Sequence, residues 1–432
     1  MRILSLTHQY LPRHIGGTEL YARGLCRRAA ADGHEVSLLT YHESPSGREA
    51  DFGLRRSEVD GIPVAEIHYN LSLADSTVRF EFDNPFVGRL VEQELRCHPP
   101  DLVHAIHTMK LSGAALPPCA AAGRPVLATL CDFWYICPRH TLLRPDGSLC
   151  RGPRRPYDCL ACWRSTHGVP SFRLFRDGHS PRKVSRRLAA LRRDLAAVPA
   201  RNGSLRAALL RCRRIVALSR FQRDLFVENG YPGDRIEILP HGPELADLDP
   251  GLRRKGASPE IIFIGSLAPH KGPHILLEAF RRLPNLVARC MVYGNVRAGD
   301  PYHQTLLEYG RSDPRVTFAG TFSPEALGQV LARADLLALP ALWYENEPLV
   351  VKAALHMRVP ALLSDLGSLP GMIRPGVTGW LARPGDPADW ARTLAAVLPG
   401  LRTLAMPDSR VKGMDEHAAE IFRIYHETVP AP

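Results

Sequence analysis

The feature that most constrains this chain is a repeated alternation. Short apolar runs, each closed by glycine or polar turn residues, are followed by longer stretches with apolar residues at helical spacing. The first run, RILSL at 2–6, is too short and too evenly apolar for a surface helix. It suits a strand buried on both faces of a parallel sheet. Gly16-Gly17 and Thr18-Glu19 come next, and helical spacing runs through Leu20, Leu25 and Ala29 to a stop at Gly33. Further strands are expected at 34–40, 101–106, 125–130, 214–218 and 235–239. A second series opens with IIFIG at 261–265 and a helix at 274–282, then strands at 287–293, 316–319, 336–339 and 359–364. Such alternation specifies an α/β chain of doubly wound parallel sheets. The intervening ELADLDPGLRRKGASPE (244–260) is charged, rich in Pro and Gly and poor in apolar residues, so it reads as a linker. The expected domains are 1–243 and 258–405, with a linker at 244–257 and a closing helix at 413–429. Ligands of open α/β sheets sit outside the carboxyl ends of the strands, so chemistry is expected there, in a cleft between the domains.

Composition narrows the class. The 432 residues suffice for two or three domains, and 45% apolar with 23% charged residues excludes disorder as the main state. No run approaches the ~18 apolar residues of a membrane span. Residues 1–11 lack the apolar core and cleavage site of a secretion signal, so a cytoplasmic protein is expected. The net charge of +11 is local: residues 151–220 hold 18 Arg and Lys against three acids, leaving −4 for the rest. Such a patch fits an anionic partner, a lipid surface or a diphosphate, and fits equally a solvated helix face. No helix-turn-helix, zinc-finger or RNA-binding motif accompanies it, so no nucleic acid is expected. Only six of the 55 basic residues are lysine, which makes each lysine more informative.

Three loops stand out. Gly16 and Gly17, between a strand and a helix, let backbone amides approach a phosphate, although a plain tight turn explains them as well. Gly265 ends a strand, Ser266 follows, and Lys271 lies just before a helix, where ammonium and helix dipole both favour an anion. Trp343-Tyr344-Glu345-Asn346-Glu347-Pro348-Leu349 follows the strand LLALP. Pro348 suits a first helical turn, leaving amides free, and a carboxylate there can accept hydrogen bonds from sugar hydroxyls.

Together these segments resemble the family 4 glycosyltransferases. The resemblance runs through GGTELYARGL…GHEVSLLT, VALSRFQRDLFVENGY…ILPHG, GSLAPHKGPHILLEAF, GNV…DPRVTFAGTF, ADLLALPALWYENEPL and SDLGSLP…GVTGWLARPGD. It implies a GT-B fold: two facing Rossmann-like domains, with a C-terminal helix crossing back to the first. It also implies retaining transfer of a sugar from a UDP- or GDP-linked donor to a glycan, a lipid-linked acceptor or a specialised metabolite, with no catalytic metal. By the resemblance Gly16, Gly17, Gly265, Ser266 and Lys271 contact the donor diphosphate, and Glu345 lies near the transferred sugar. Asn346, Glu347, Pro348 and Leu349 complete the donor loop, and Asp132 belongs to the sugar side. The departures are specific. Ser266 stands where arginine is usual, Ala353 (after Lys352) where the second glutamate of E-x7-E belongs, Gly371 for another glutamate, and Cys131 for the histidine before Asp132. The losses fit an altered donor, or a GT-B protein that only binds a partner.

Cys137, Cys150, Cys159 and Cys162 are spaced C-x12-C-x8-C-x2-C, enough thiolates for a structural zinc, or for an iron–sulfur cluster. The insert spans 131–163. His8 and His107, at strand ends, read as satisfied structural histidines. The basic segment adds an expectation of peripheral contact with an anionic membrane surface.

Overall fold

Each apolar run becomes a strand in the computed structural model, which describes residues 1–71, 74, 76–166, 181–407 and 410–429. The first eight strands are β1 (Arg2–Leu6), β2 (Glu35–Glu43), β3 (Gly53–Val59), β4 (Ile62–Tyr69), β5 (Leu102–Ala105), β6 (Val126–Leu130), β7 (Arg214–Ala217) and β8 (Ile236–Ile238). They form one sheet in the order β3-β4-β2-β1-β5-β6-β7-β8. Every neighbouring pair is parallel except β3–β4. All residues of β5 and β6 are buried, as strands covered on both faces must be.

The second sheet holds β9 (Glu260–Ile264), β10 (Arg289–Tyr293), β11 (Val316–Gly320), β12 (Leu336–Leu339), β13 (Ala361–Ser364) and β14 (Gly379–Ala382). Its order is β11-β10-β9-β12-β13-β14, all parallel. One face carries Phe263, Phe280 and Trp390; the other carries Val351, Ala353 and Leu363.

The chain divides into two compact units, Met1–Pro240 with His417–Pro432, and His241–Glu416. The segment expected as a linker is packed onto the second unit. Leu248 is buried in its core. Arg253 donates to the carbonyls of Arg358 (2.5 Å) and Ala334 (2.9 Å), and Arg254 N–H to Ala332 O (2.8 Å), so polar contacts help hold a sequence poor in apolar residues. Gly242 passes against Gly413, where a Cβ would lie 2.3 Å from the Gly413 carbonyl carbon, and Met414 N–H donates to Pro243 O (2.9 Å). The helix Met414–Thr428 closes the chain. From His417 it belongs to the first unit, where Tyr21 Oη meets His417 Nε2 at 2.9 Å and Tyr425 Oη meets His104 Nδ1 at 2.8 Å. No helix of the described residues is long and apolar enough to cross a membrane.

Candidate functional site

In the second unit the groups of interest collect beyond the carboxyl ends of β9 and β12. Gly265 follows β9 and donates to Tyr293 O (3.1 Å); exposed Ser266 comes next. A 3-10 turn, Pro269–Lys271, leads to Gly272 and the helix Pro273–Arg281. Gly272 has φ +71°, and a Cβ there would sit 1.9 Å from Pro340 O. Only glycine fits both the left-handed backbone and that approach. The turn presents Lys271 to the loop after β12. Its Nζ donates to Glu345 Oε1 (2.6 Å) and lies 4.7 Å from the centre of the Trp343 ring. Trp343 Nε1–H donates to the same carboxylate oxygen (2.8 Å), and Ser368 Oγ donates to Glu345 O (2.5 Å). The carboxylate is therefore fixed, and its side chain is only 7% exposed.

The rest of the loop divides its labour. Pro348 caps the helix Leu349–His356 at the N-cap position, one residue earlier than a first-turn proline. Glu347 serves the backbone: Oε2 accepts from His241 N–H (3.0 Å), and Oε1 pairs with Lys352 Nζ (2.6 Å). Burial pushes the Glu347 carboxyl up to about 7, against the pull of Lys352, the His241 N–H and Lys412. Half-buried Asn346 lies between these two carboxylates. Ala353 is fully buried in the core.

In the first unit a second cluster lies beyond β1, β5 and β6. Asp132 follows β6 by two residues. Its Oδ2 is 2.8 Å from His107 Nε2, and its Oδ1 accepts from Trp134 N–H (2.8 Å). Burial works to raise the Asp132 carboxyl, but the charge and hydrogen bond of His107, then His140 and the Trp134 N–H, hold it at about 2. Met109 N–H lies 3.2 Å from His107 Nδ1, on the side of the ring away from Asp132. The His8 ring lies 4.3 Å from that of His107, tilted by 45°, and His8 Nε2 approaches Glu19 Oε1 at 3.6 Å. Burial and the neighbouring His107 push His8 well below the usual histidine range, so it is neutral at pH 7. Its Nδ1 is buried without a hydrogen-bond partner. Gly16 caps the helix Gly17–Ala31, and any Cβ at Gly16 would meet Glu19 Oε2 at 2.7 Å. Burial, then Asp132 and Glu19, push the Cys131 thiol well above its usual range.

His107 is buried and satisfied at both ring nitrogens, as expected of a structural histidine, and it orients Asp132. His8 departs from that expectation, because its Nδ1 is buried without a hydrogen-bond partner. Both lie two residues past a buried strand. The four insert cysteines are not drawn into a metal-ligating set: among the described residues no group of three or more His, Cys, Asp or Glu is placed to hold a metal ion. Cys137 is buried in the turn after β6, Cys150 Sγ accepts from Gly152 N–H (3.4 Å), and Cys159 packs against an apolar patch with Trp163. Burial pushes the thiols of Cys137 and Cys159 up to about 11 and about 12, and the neighbouring Cys162 acts on both in the same direction. The basic segment falls partly outside the described residues, at 167–180. Within it, Arg201 is not on a solvated face. It is buried, ion-paired with Glu81 and hydrogen-bonded to Trp134 O at 2.9 Å.

Comparison with known proteins agrees with this geometry. The profile described as Glycosyltransferase Family 4 matches residues 15–247, and that described as Glycosyl transferases group 1 matches 247–403. D-inositol 3-phosphate glycosyltransferases of Nocardia farcinica and Mycolicibacterium vanbaalenii are 34% identical over 193 residues and 32% over 206. Those matches cover 41% and 43% of this chain and 42% and 44% of the relatives, so less than half the length of either is spanned. Among solved structures, sucrose-phosphate synthase of Thermosynechococcus elongatus superposes with a TM-score of 0.67 at 15% identity, covering 99% of this chain and 98% of that one. Anabaena HepE, in complex with UDP and glucose, gives 0.65 at 16%, covering 99% and 100%. At such identities the likeness establishes the fold: two parallel-sheet α/β units of the GT-B class. With a profile match over more than half its length, the chain belongs to glycosyltransferase family 4.

Proposed function

We propose that this chain transfers a sugar from a nucleotide-sugar donor to an acceptor hydroxyl, with retention. The second unit holds the donor diphosphate, and the first orients hydroxyls at His8, His107 and Asp132. The observation that carries the proposal is Lys271, braced between Glu345 and Trp343 beside a glycine turn. An ammonium has three donors, and the Glu345 bond uses one, so two remain for phosphate oxygens. The first amides of the helix Leu349–His356 add donors at a positive dipole end. Charge grows on the leaving diphosphate as the anomeric bond breaks, so fixed donors stabilise the transition state more than the ground state.

In the step proposed, the bond from the anomeric carbon to the phosphate oxygen breaks. The acceptor oxygen bonds to the same face of that carbon, and its proton passes to the leaving phosphate. Asp132, low in pKa and paired with His107, stays a carboxylate and is no acid. Neutral His8 offers the Nδ1 lone pair to a hydroxyl. The Anabaena protein binds UDP, which favours a uridine diphosphate donor here. The Arg-rich segment 151–220 fits an acceptor met at an anionic lipid surface.

The test is a panel of UDP- and GDP-linked sugars, with binding read by calorimetry and the product anomer by NMR. One UDP-sugar is expected to bind and react with its anomeric configuration kept, and Lys271→Ala to weaken it. An inverted product refutes retention. Absence of any donor binding refutes the enzyme reading.

A further inference from the structure

At the opposite end of the second sheet a cavity of about 380 Å3 opens at the amino ends of β9 and β10. Glu260, first residue of β9, lines it together with Arg254, Lys255, Ser258, Arg289 and Arg333. Four cations thus face one carboxylate. Among the described residues no side-chain hydrogen bond or ion pair engages Arg254, Arg289 or Arg333, and Lys255 Nζ donates only to a backbone carbonyl, that of Arg402. The nearby Asp335 is occupied by the Glu260 N–H (2.9 Å) and by Arg402 (3.3 Å), so it neutralises none of them. Glu260 itself is 8% exposed, and its Oε1 is buried with no partner. A buried carboxylate oxygen left unpaired costs free energy that a bound donor would recover.

The two halves of this arrangement ask for different groups on one ligand. Guanidinium forks that outnumber the one carboxylate and make no hydrogen bond to it suit a phosphate dianion. The orphan Oε1 suits a hydroxyl. No aromatic ring lines the cavity, so no base-stacking platform exists for a nucleotide or nucleic acid. We infer that this cavity binds a soluble phosphomonoester carrying hydroxyls, such as a sugar phosphate, at a site separate from the donor loop. Four residues of β9 lie between Glu260 and Gly265, a span of roughly 16 Å at ~3.3 Å per residue. The segment read from sequence as a linker thereby becomes one wall of a binding site.

Calorimetric titration of the full chain with glucose 6-phosphate tests this, with glucose, inorganic phosphate and phosphatidylcholine vesicles with and without phosphatidic acid as further arms. Saturable binding of glucose 6-phosphate is expected, tighter than of phosphate, with none for glucose. Arg289→Ala with Arg333→Ala, both exposed, should weaken it about a hundredfold, at about tenfold for each charge-assisted contact. Glu260→Gln should narrow the preference for glucose 6-phosphate over phosphate. Lys271→Ala should leave the affinity unchanged, which separates this site from the donor loop. The inference is overturned if glucose 6-phosphate does not bind, or if the double arginine variant binds as tightly as the parent. Loss of binding in Lys271→Ala, or capture by phosphatidic acid vesicles without glucose 6-phosphate binding, overturns it too.

Discussion

Lys271→Ala removes one ammonium from two roles, and the structure lets them be separated. Its side chain is 22% exposed and that of Glu345 7%. Without Lys271 the Glu345 carboxylate keeps only the Trp343 N–H among its side-chain partners at Oε1. An under-satisfied buried acceptor costs ~1–3 kcal/mol, so the single variant should lose stability on that scale. The diphosphate loses a charge-assisted contact of ~1.5–3 kcal/mol, about tenfold to a hundredfold in donor affinity. Turnover should fall further, by ~10²–10³, because charge builds on the leaving group in the transition state. Glu345→Gln added to Lys271→Ala removes the stranded charge. The double variant should therefore regain most of the stability and none of the donor affinity. Denaturant melts give the first quantity; calorimetry and product formation give the second. If the double variant recovers turnover together with stability, Lys271 merely neutralises Glu345, and the donor role is refuted.

Three more outcomes follow from the geometry. Gly272→Ala should cost more than ~2 kcal/mol in urea melts, since it combines a left-handed φ with displacement of Pro340 O; a change under half of that contradicts the close approach. Asp132 titrates at about 2 folded against 3.8 ordinarily, so its stabilisation is present above pH 3.8 and lost as pH falls towards 2. It amounts to about 2–3 kcal/mol at ~1.4 kcal/mol per unit, and Asp132→Asn should flatten the acid limb of the stability curve. Binding to vesicles containing anionic lipid should exceed binding to neutral ones and fall steeply with salt; equal binding to both removes the membrane-surface reading of the Arg-rich segment.

The strands were legible because a parallel sheet buried on both faces needs continuous apolar runs, and few other structures use them. The β3–β4 hairpin was not. Its burial alternates imperfectly, with Arg55, Arg56, Ser57 and Glu58 all exposed, so no apolar run marks β3. The usable signal was Asp60-Gly61, both at positive φ (53° and 75°), the turn chemistry of a two-residue hairpin. The segment 244–257 misled for a related reason: backbone carbonyls gripped by Arg253 leave no trace in hydropathy. In the candidate site, Lys271 and Glu345 could be singled out because their loops carry residue types that a plain turn does not need. His107 could not, because its role depends on Asp132, 25 positions away in the loop after a neighbouring strand.

The two missing glutamates are not equivalent once packing is considered. Ala353 is fully buried among Val351, Leu363 and Leu369, so a carboxylate there enters an apolar core unless the helix shifts. Gly371 is exposed, and a Cβ built on it meets nothing within 4 Å. Ala353→Glu should therefore cost several kcal/mol, on the scale of an unpaired buried charge, whatever it does to the donor. Gly371→Glu should change stability by less than ~0.5 kcal/mol, as surface substitutions do. Any change it makes in donor affinity can then be read without correction for unfolding. If Gly371→Glu strengthens nucleotide-sugar binding, the loss at 371 altered selectivity in a working site. If Ala353→Glu melts like the parent, the side chain at 353 has an exit to solvent that its burial denies, and the packing argument for that helix fails.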